Sequence, residues 1–111
     1  MHKNPAGFTH LSTSELNDDL ASKRYVIVDI RDENSYKQNH IPGAFHLTNE
    51  SMAEFLRQTD IDAPTVVCCY HGNSSQQAAQ FLISQDFTDV YSLDGGFSQW
   101  LLQHPDKVES L

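Results

Sequence analysis

The sequence predicts an α/β domain built on a mainly parallel central sheet of about five strands, with helices on both faces. Short β-branched runs alternate along the chain with stretches of helical spacing, which is typical of parallel strands joined by helices. The run at residues 25–30 is apolar on both sides, as expected of a strand buried on both faces. With 111 residues and no linker or repeat, the chain is long enough for one domain with its own core.

The first half of the chain opens with a predicted edge strand at residues 8–10. Ser12 and Glu15 have the spacing of a capping box, which predicts a helix from there to about residue 22. The strand at residues 25–30 comes next. The other elements of this half are, in chain order, a helix at 33–38, a turn at 40–43, a strand at 44–47 and a helix that begins at 49.

The second half continues the alternation and ends at a proline. Its predicted elements are, in chain order, a strand at 65–69, a helix at 75–85, a strand at 89–93, a turn at 94–96 and a helix at 97–104. The last helix ends before Pro105 because proline cannot continue a helix. We therefore place one domain at residues 8–104 and expect terminal tails at residues 1–7 and 105–111.

The charge and hydropathy of the chain exclude several classes of partner. The formal net charge is −8 and the seven basic residues form no stripe, so we expect neither a nucleic acid nor a membrane as a partner. The apolar runs are far shorter than a membrane span, and residues 1–5 lack the apolar core of a signal peptide. We therefore expect a cytoplasmic protein.

The positions of the cysteines and histidines argue against a disulfide and against a metal site. The only two cysteines, Cys68 and Cys69, are adjacent, and neighbouring side chains on a strand face opposite ways. A disulfide between them is therefore not expected, and a reducing compartment fits. The six histidines show no spacing typical of metal ligands, so we expect no metal site and no cofactor.

Cys69 is the strongest candidate for a functional residue. An apolar strand ends at this thiol and is followed by a short polar loop and a helix whose N-terminus points back at the sulfur. Unpaired N–H groups and the positive end of the helix dipole at that point favour a thiolate, the form in which cysteine acts as a nucleophile. The alternative is a buried structural cysteine, which is what we expect of Cys68 on the opposite face.

Three segments in this order resemble the rhodanese family. They are residues 28–31 followed by 40–44, the loop that starts at Cys69, and residues 93–100. The resemblance spans most of the chain, and it implies that the Cys69 thiolate takes the outer sulfur of thiosulfate and holds it as a persulfide. It further implies transfer of that sulfur to cyanide or to a dithiol acceptor, for which thioredoxin is a candidate. Two alternatives stay open: a relay carrier loaded by a partner protein, and a non-catalytic rhodanese module.

The loop after Cys69 supplies the predicted substrate-binding residues. Backbone N–H groups from this loop are expected to hold the charge of the thiolate and the persulfide. Gly72 permits a tight backbone path, the hydroxyl of Ser75 either bonds the persulfide or only caps the helix, and His71 is expected to be solvent-exposed. The complete set is Tyr70, His71, Gly72, Asn73, Ser74 and Ser75.

The length of the loop separates sulfur transfer from phosphate chemistry. The resemblance implies a six-residue loop, here Cys69 to Ser74, that closes around one extra sulfur atom, whereas related phosphatases have one more residue and an arginine. Ser75 stands where that arginine would be, so no bidentate phosphate ligand is available in the loop. The resemblance implies that Asp29 and Arg31 brace the loop, while Phe97 and Trp100 are expected in the core.

Three positions depart from the common pattern of the family. Asn39 and Asp86 stand where relatives often have glycine; asparagine tolerates the left-handed backbone region, and aspartate adopts that helix-ending shape less easily. Gln76 stands where some relatives have lysine, which leaves the affinity for thiosulfate open.

Overall fold

The computed structural model describes residues 7–111, and it confirms the α/β class. The strands are β1 (Thr9–Leu11), β2 (Val26–Asp29), β3 (Phe45–His46), β4 (Thr65–Cys68) and β5 (Val90–Leu93). They form one five-stranded sheet, in which they pair in parallel in the spatial order β1-β5-β4-β2-β3. Of the predicted N-terminal tail, residues 1–6 lie outside the described part of the chain.

The strand order reverses direction at the middle of the sheet. From β2 the chain passes to β3 on one side, whereas from β4 it passes to β5 on the other side. The connections that follow β2 and β4 therefore diverge at the carboxyl ends of two paired strands. Such a reversal is where open parallel sheets bind ligands.

Helices cover both faces of the sheet, as predicted, because successive strand residues face opposite ways. Ile27 and Val66 lie in one core cluster, while their neighbours Val28 and Val67 lie in the other. The helices are α1 (Thr13–Leu20), α2 (Glu33–Gln38), α3 (Met52–Gln58), α4 (Ser74–Ser84) and α5 (Gly96–Gln103). The first cluster includes residues of α1 and α5, and the second includes residues of α3 and α4.

Local side-chain chemistry explains where the helices begin. The predicted capping box is present, since the Ser12 hydroxyl accepts from the Glu15 N–H at 3.1 Å and the Glu15 carboxylate accepts from the Ser12 N–H at 3.0 Å. Helix α3 begins at Met52, later than predicted. Thr48 and Ser51 exchange hydrogen bonds in a turn before it, which occupies the residues expected to start the helix.

Asn39 and Asp86, the two positions where relatives often have glycine, differ in backbone conformation. Asp86 has a φ of 73°, so it adopts the left-handed conformation that ends α4. The expectation of a left-handed Asn39 is wrong: its φ is −165°, which is extended backbone. The reason is that Asn39 leads directly into a backbone bridge between His40 and Glu109.

The C-terminal residues after α5 pack back onto the domain. The N–H and C=O of His40 both bond to Glu109 at 2.8 Å, and the Leu111 N–H donates to the Lys37 carbonyl at 2.9 Å. Val108 packs against the core cluster that contains α5. None of the helices within residues 7–111 is long and apolar enough to cross a lipid bilayer.

Candidate active site

Cys69 follows the last residue of β4, at the carboxyl edge of the sheet. Its side chain is 3% exposed, and its sulfur accepts a hydrogen bond from the Gly72 N–H at 3.1 Å. Cys68 faces the other way, as predicted, and is fully buried in the core cluster that contains Trp100. Both cysteines are free thiols.

The loop between β4 and α4 turns its N–H groups onto the sulfur of Cys69. The N–H of Gly72 donates a hydrogen bond to it, and the N–H groups of His71 and Ser75 and the Ser75 hydroxyl help to lower the pKa of the thiol. Gly72 makes this path possible with a φ of 91°, and a Cβ at this position would lie 2.9 Å from the Gly95 nitrogen. The loop is therefore shaped for a negative charge at the sulfur.

The two adjacent thiols have opposite pKa shifts. Burial raises the pKa of Cys69, but the hydrogen bonds from Ser75, Gly72 and His71 outweigh it, so the pKa of Cys69 is lowered. Burial raises the pKa of Cys68 well above its usual value. Cys69 is thus the thiol that is poised to ionise and react.

The position of Ser75 decides between its two predicted roles. The N-cap of α4 is Asn73, so Ser75 lies inside the first turn and the interpretation of Ser75 as only a helix cap is wrong. Its side chain is fully buried, and its hydroxyl lies 2.8 Å from the hydroxyl of Ser92 on β5.

The start of α5 holds the loop from the opposite side. The N–H of Phe97 donates to the carbonyl of Cys69 at 2.8 Å, and the N–H of Ser98 donates to the carbonyl of Tyr70 at 3.0 Å. Gly96 permits this approach, because a Cβ there would lie 2.5 Å from the Cys69 oxygen. Sequence reasoning missed this support, for which the paired glycines at the strand-to-helix turn were the available signal.

Arg31 forms its hydrogen bonds outside the loop. Its guanidinium forms a buried ion pair with Asp29 at 2.9 Å and donates to the Asn39 carbonyl at 2.7 Å. The same group lies 4.0 Å from the centre of the Phe97 ring, where Phe97 itself holds Cys69. These partners occupy the guanidinium, which therefore serves the framework of the site.

Tyr70 forms part of the rim of the site and is 43% exposed. Its hydroxyl donates to the carboxylate of Asp32, the N-cap of α2, and lies 2.6 Å from the hydroxyl of Ser35. The Tyr70 and Ser35 hydrogen bonds lower the pKa of Asp32 to about 2. The loop is thereby linked to the start of α2.

The other predicted loop residues lie at the surface around the mouth. His71 is exposed, as predicted, and so are Asn73 and Ser74. The side-chain amide of Gln76 donates to the Gly72 carbonyl at 2.9 Å, so this residue contacts the loop directly. Within residues 7–111, no three His, Cys, Asp or Glu side chains are grouped so that they could hold a metal ion.

Comparison with known proteins agrees with this geometry. The family model described as a rhodanese-like domain matches residues 12–103. The chain belongs to the rhodanese family. A protein of Shewanella oneidensis named thiosulfate sulfurtransferase GlpE is 57% identical over 95 residues, which cover 86% of this chain and 94% of that protein. A protein of the same name from a strain of Pseudomonas fluorescens is 60% identical over 86 residues, covering 78% and 79%.

Solved structures share the fold of this rhodanese domain at low sequence identity. The rhodanese-like domain from Anabaena sp. superimposes with a TM-score of 0.82 at 23% identity, covering 92% of this chain and 79% of that one. A rhodanese-like domain protein from Staphylococcus aureus superimposes with a TM-score of 0.79 at 22% identity, covering 94% and 99%.

Proposed function

We propose that this rhodanese is a thiosulfate sulfurtransferase that works through a persulfide on Cys69. The observation that carries the proposal is the thiol itself, with its lowered pKa and with the Gly72 N–H donating to its sulfur at 3.1 Å. The relatives above bear that name and match most of the chain at more than half identity. A reactive thiolate in such a cradle is suited to nucleophilic catalysis.

The reaction has two displacements. The Cys69 thiolate attacks the outer sulfur of thiosulfate, the sulfur–sulfur bond of thiosulfate breaks, and sulfite leaves with the bonding electron pair. A thiolate acceptor or cyanide then attacks the outer sulfur of the persulfide, and the Cys69 thiolate is released. No net oxidation or reduction of the protein occurs over the cycle, so this chemistry needs no cofactor.

The loop supports both states of the sulfur. The N–H groups of His71, Gly72 and Ser75 stabilise the thiolate, and the persulfide presents its negative charge to the same set of donors. Tyr70, Asn73 and Ser74 at the mouth complete the proposed substrate-binding residues. The guanidinium of Arg31 is already bonded to Asp29 and Asn39, and the loop itself contains no arginine. Neither source therefore supplies an arginine that could bind phosphate.

We further propose that the protein is cytoplasmic and that the acceptor of the sulfur is a dithiol protein such as thioredoxin. A carrier loaded by another protein would use the same persulfide, whereas a non-catalytic module would have no need for an activated thiol. The lowered pKa of Cys69 favours the active alternatives. Loading by thiosulfate alone separates the enzyme from the carrier.

The test is to incubate the purified, reduced protein with thiosulfate and no other protein. We expect release of one sulfite per chain and a mass increase of roughly 32 Da that cyanide or a dithiol removes, as covalent catalysis through a thiol requires. Cys69→Ser should show neither result. Cys68→Ala is the matched control and should keep most of the activity.

Two results would contradict the proposal. If Cys69→Ser still released sulfite while folded Cys68→Ala did not, the nucleophile would be Cys68. If the wild-type protein gained sulfur only in the presence of a persulfide-bearing partner, the chain would be a relay carrier.

A further inference from the structure

An open apolar groove runs between α3 and α4 on one face of the sheet. The side chains that line it come from these two helices and from the residues that follow β2 and β3, and Phe81 on α4 is 41% exposed. Among the described residues, Glu50 is the only charged one that lines the groove, so the groove offers no cation to an anionic thiol. Its apolar lining residues are Ile30, Leu47, Met52, Ala78 and Phe81.

One end of this groove adjoins the thiol of Cys69. The last residues of β2, β3 and β4 are paired with one another, so Ile30, Leu47 and Cys69 follow them side by side at the carboxyl edge of the sheet. The Ile30 N–H donates to the Cys68 carbonyl at 3.0 Å. Cys68 packs in the opposite core cluster from Ile30 and Leu47, so Cys69 is directed to their side of the sheet. Neighbouring strands lie about 4.8 Å apart, so the groove begins one strand away from Cys69.

The other end of the groove lies beyond the reach of a small acceptor. Phe81 is two turns along α4 from its first residue, Ser74, which is about 10 Å at 1.5 Å per residue. Cyanide or a small dithiol can therefore take sulfur from Cys69 without contacting Phe81. A protein acceptor covers a wider area, on the order of several hundred Å² per partner, so its surface extends from the mouth over the groove. The loop residues at the mouth, such as His71 and Asn73, are polar, so the groove is where a protein surface buries apolar area.

We propose that this groove is the docking surface for the protein that accepts the sulfur, a dithiol protein that places an apolar side chain against Phe81 while its thiolate attacks the Cys69 persulfide. This assignment rests on the proposed function, since it concerns the acceptor of the same reaction. The attack on the outer sulfur breaks the sulfur–sulfur bond and releases the Cys69 thiolate. The second thiol of the acceptor then attacks the cysteine sulfur that carries the new persulfide, so a disulfide forms and hydrosulfide leaves. The dithiol loses two electrons and two protons; the electrons and one proton leave with the sulfur, and the other proton goes to solvent.

The test compares a protein acceptor with a small acceptor of the same chemistry. Wild-type protein and Phe81→Ala are supplied with thiosulfate, and hydrosulfide release is followed with reduced thioredoxin and, separately, with dithiothreitol. We expect kcat/KM for thioredoxin to fall about fivefold or more in Phe81→Ala, because buried aromatic side chains carry much of the binding energy of protein interfaces. The rates with dithiothreitol and with cyanide should not change, because these acceptors do not reach Phe81.

Ile61→Ala is the matched control for this substitution. Ile61 is also 41% exposed, but it precedes β4 and therefore lies toward the amino edge of the sheet, away from the groove. This variant should leave the reactions with thioredoxin and with dithiothreitol unchanged. Phe81→Leu keeps a large apolar side chain and should retain more of the thioredoxin reaction than Phe81→Ala does.

A docking role is excluded if Phe81→Ala leaves kcat/KM for thioredoxin unchanged, slows the dithiothreitol reaction equally, or has no more effect than Ile61→Ala. Loading Cys69 with sodium polysulfide in place of thiosulfate separates this result from the proposed function. If thiosulfate releases no sulfite but the polysulfide-loaded protein shows the Phe81 effect, the docking surface is sustained and the proposed function is rejected. If the loaded protein passes sulfur to cyanide but not to thioredoxin, the groove does not dock a dithiol protein.

Discussion

At the residue scale, Cys68 and Cys69 show how strand geometry separates two identical side chains. Cys68 lies in the core, where burial is the largest influence on its pKa. Cys69 lies where the chain leaves the sheet, and hydrogen-bond donors of the loop lower its pKa. A thiolate is stable only at the second position. The chemical difference therefore comes from direction on the strand and not from residue type.

This difference predicts the stoichiometry of alkylation. At neutral pH the folded protein should take up one iodoacetamide group, at Cys69, because its lowered pKa provides thiolate while the raised pKa of Cys68 withholds it. The unfolded protein should take up two. Mass spectrometry of the intact protein and of its fragments checks both expectations, and native labelling at Cys68 first would contradict them.

The contact between Tyr70 and Asp32 predicts a pH effect. The pKa of Asp32, about 2, is below its usual 3.8, so its contribution to stability is present above about pH 3.8 and is lost as the pH falls toward 2. Tyr70→Phe removes the largest cause of the shift. We expect the Asp32 carboxyl to titrate at higher pH in this variant, as measured by carbon NMR.

The neighbouring tyrosine provides the control for that titration. Tyr36→Phe removes a hydroxyl that bonds to the Ala44 carbonyl, so the pKa of Asp32 should not change in this variant. An unchanged titration of Asp32 in Tyr70→Phe would show that Tyr70 does not hold the start of α2.

At the scale of elements, the N-terminus of α5 holds the loop after Cys69 in place. Its first N–H groups, which have no partner within a helix, bond instead to the carbonyls of Cys69 and Tyr70. Because these carbonyls are held outward, the N–H groups of the loop face the sulfur. A strand-to-helix turn with glycines at both Gly95 and Gly96 is what allows the two backbones to approach.

Gly96→Ala should therefore reduce stability and sulfur transfer more than an alanine at another glycine that also has a positive φ. The new Cβ would meet the Cys69 oxygen at 2.5 Å, and a φ of 59° is also strained for alanine. We expect a loss of about 3 kcal/mol or more in the free energy of unfolding and a strong loss of sulfur transfer. Urea unfolding and sulfite release measure the two effects.

Gly43→Ala is the matched control for this substitution. Gly43 has a φ of 82°, but a Cβ there would meet nothing within 4 Å. Only the backbone strain remains, so we expect a loss of about 1 kcal/mol in stability and unchanged sulfur transfer at saturation. Equal effects at the two glycines would show that close approach at Gly96 is not what matters.

At the scale of the whole molecule, the C-terminal segment closes one side of the domain. Lys107 accepts a hydrogen bond from the Trp100 indole N–H at 2.8 Å, Val108 packs on the core, and Glu109 pairs with His40. Deleting residues 107–111 should lower the free energy of unfolding by about 2 to 4 kcal/mol, from lost apolar burial and lost backbone bonds. Thermal unfolding checks this.

Leu111→Ala serves as the control for the deletion. Its side chain is 80% exposed, so its removal should change stability by less than about 0.5 kcal/mol. Unchanged stability after the deletion would mean that the segment adds nothing to the fold.

The net charge of −8 predicts the salt dependence of catalysis, since it repels thiosulfate. Raising ionic strength modestly should lower the apparent KM, because salt screens charges beyond about 10 Å at 0.1 M. Gln76 bonds to the loop, so Gln76→Lys should lower KM and flatten its salt dependence, with little change in kcat. Steady-state kinetics at several salt concentrations measure this.

Gln80→Lys makes the same change of net charge one turn further along α4, at an exposed position. It should lower KM less than Gln76→Lys does. An equal effect of the two variants on KM would mean that only the net charge matters. No effect of Gln76→Lys on KM would mean that the N–H donors of the loop already dominate the attraction of thiosulfate.

The sequence by itself determined the order of the elements, the parallel sheet and the absence of an arginine from the loop, and it singled out Cys69 as the candidate nucleophile. These features are local: β-branched runs, helical spacing, a capping box at Ser12 and a thiol at a strand end can all be recognised within a few residues. Element ends shifted by one to three residues where side chains such as Ser51 took other partners.

Only the tertiary structure decided what surrounds the sulfur. Ser92 on β5 bonds to Ser75, and the Phe97 N–H at the start of α5 bonds to the Cys69 carbonyl. The pairing of Glu109 with His40 makes Asn39 extended, and Tyr70 bonds to Asp32, the N-cap of α2. These partners are distant in sequence, and apart from the paired glycines at residues 95–96 no local pattern marks them. They meet because parallel strands bring their carboxyl ends to one edge, which places the connections after β2, β4 and β5 side by side.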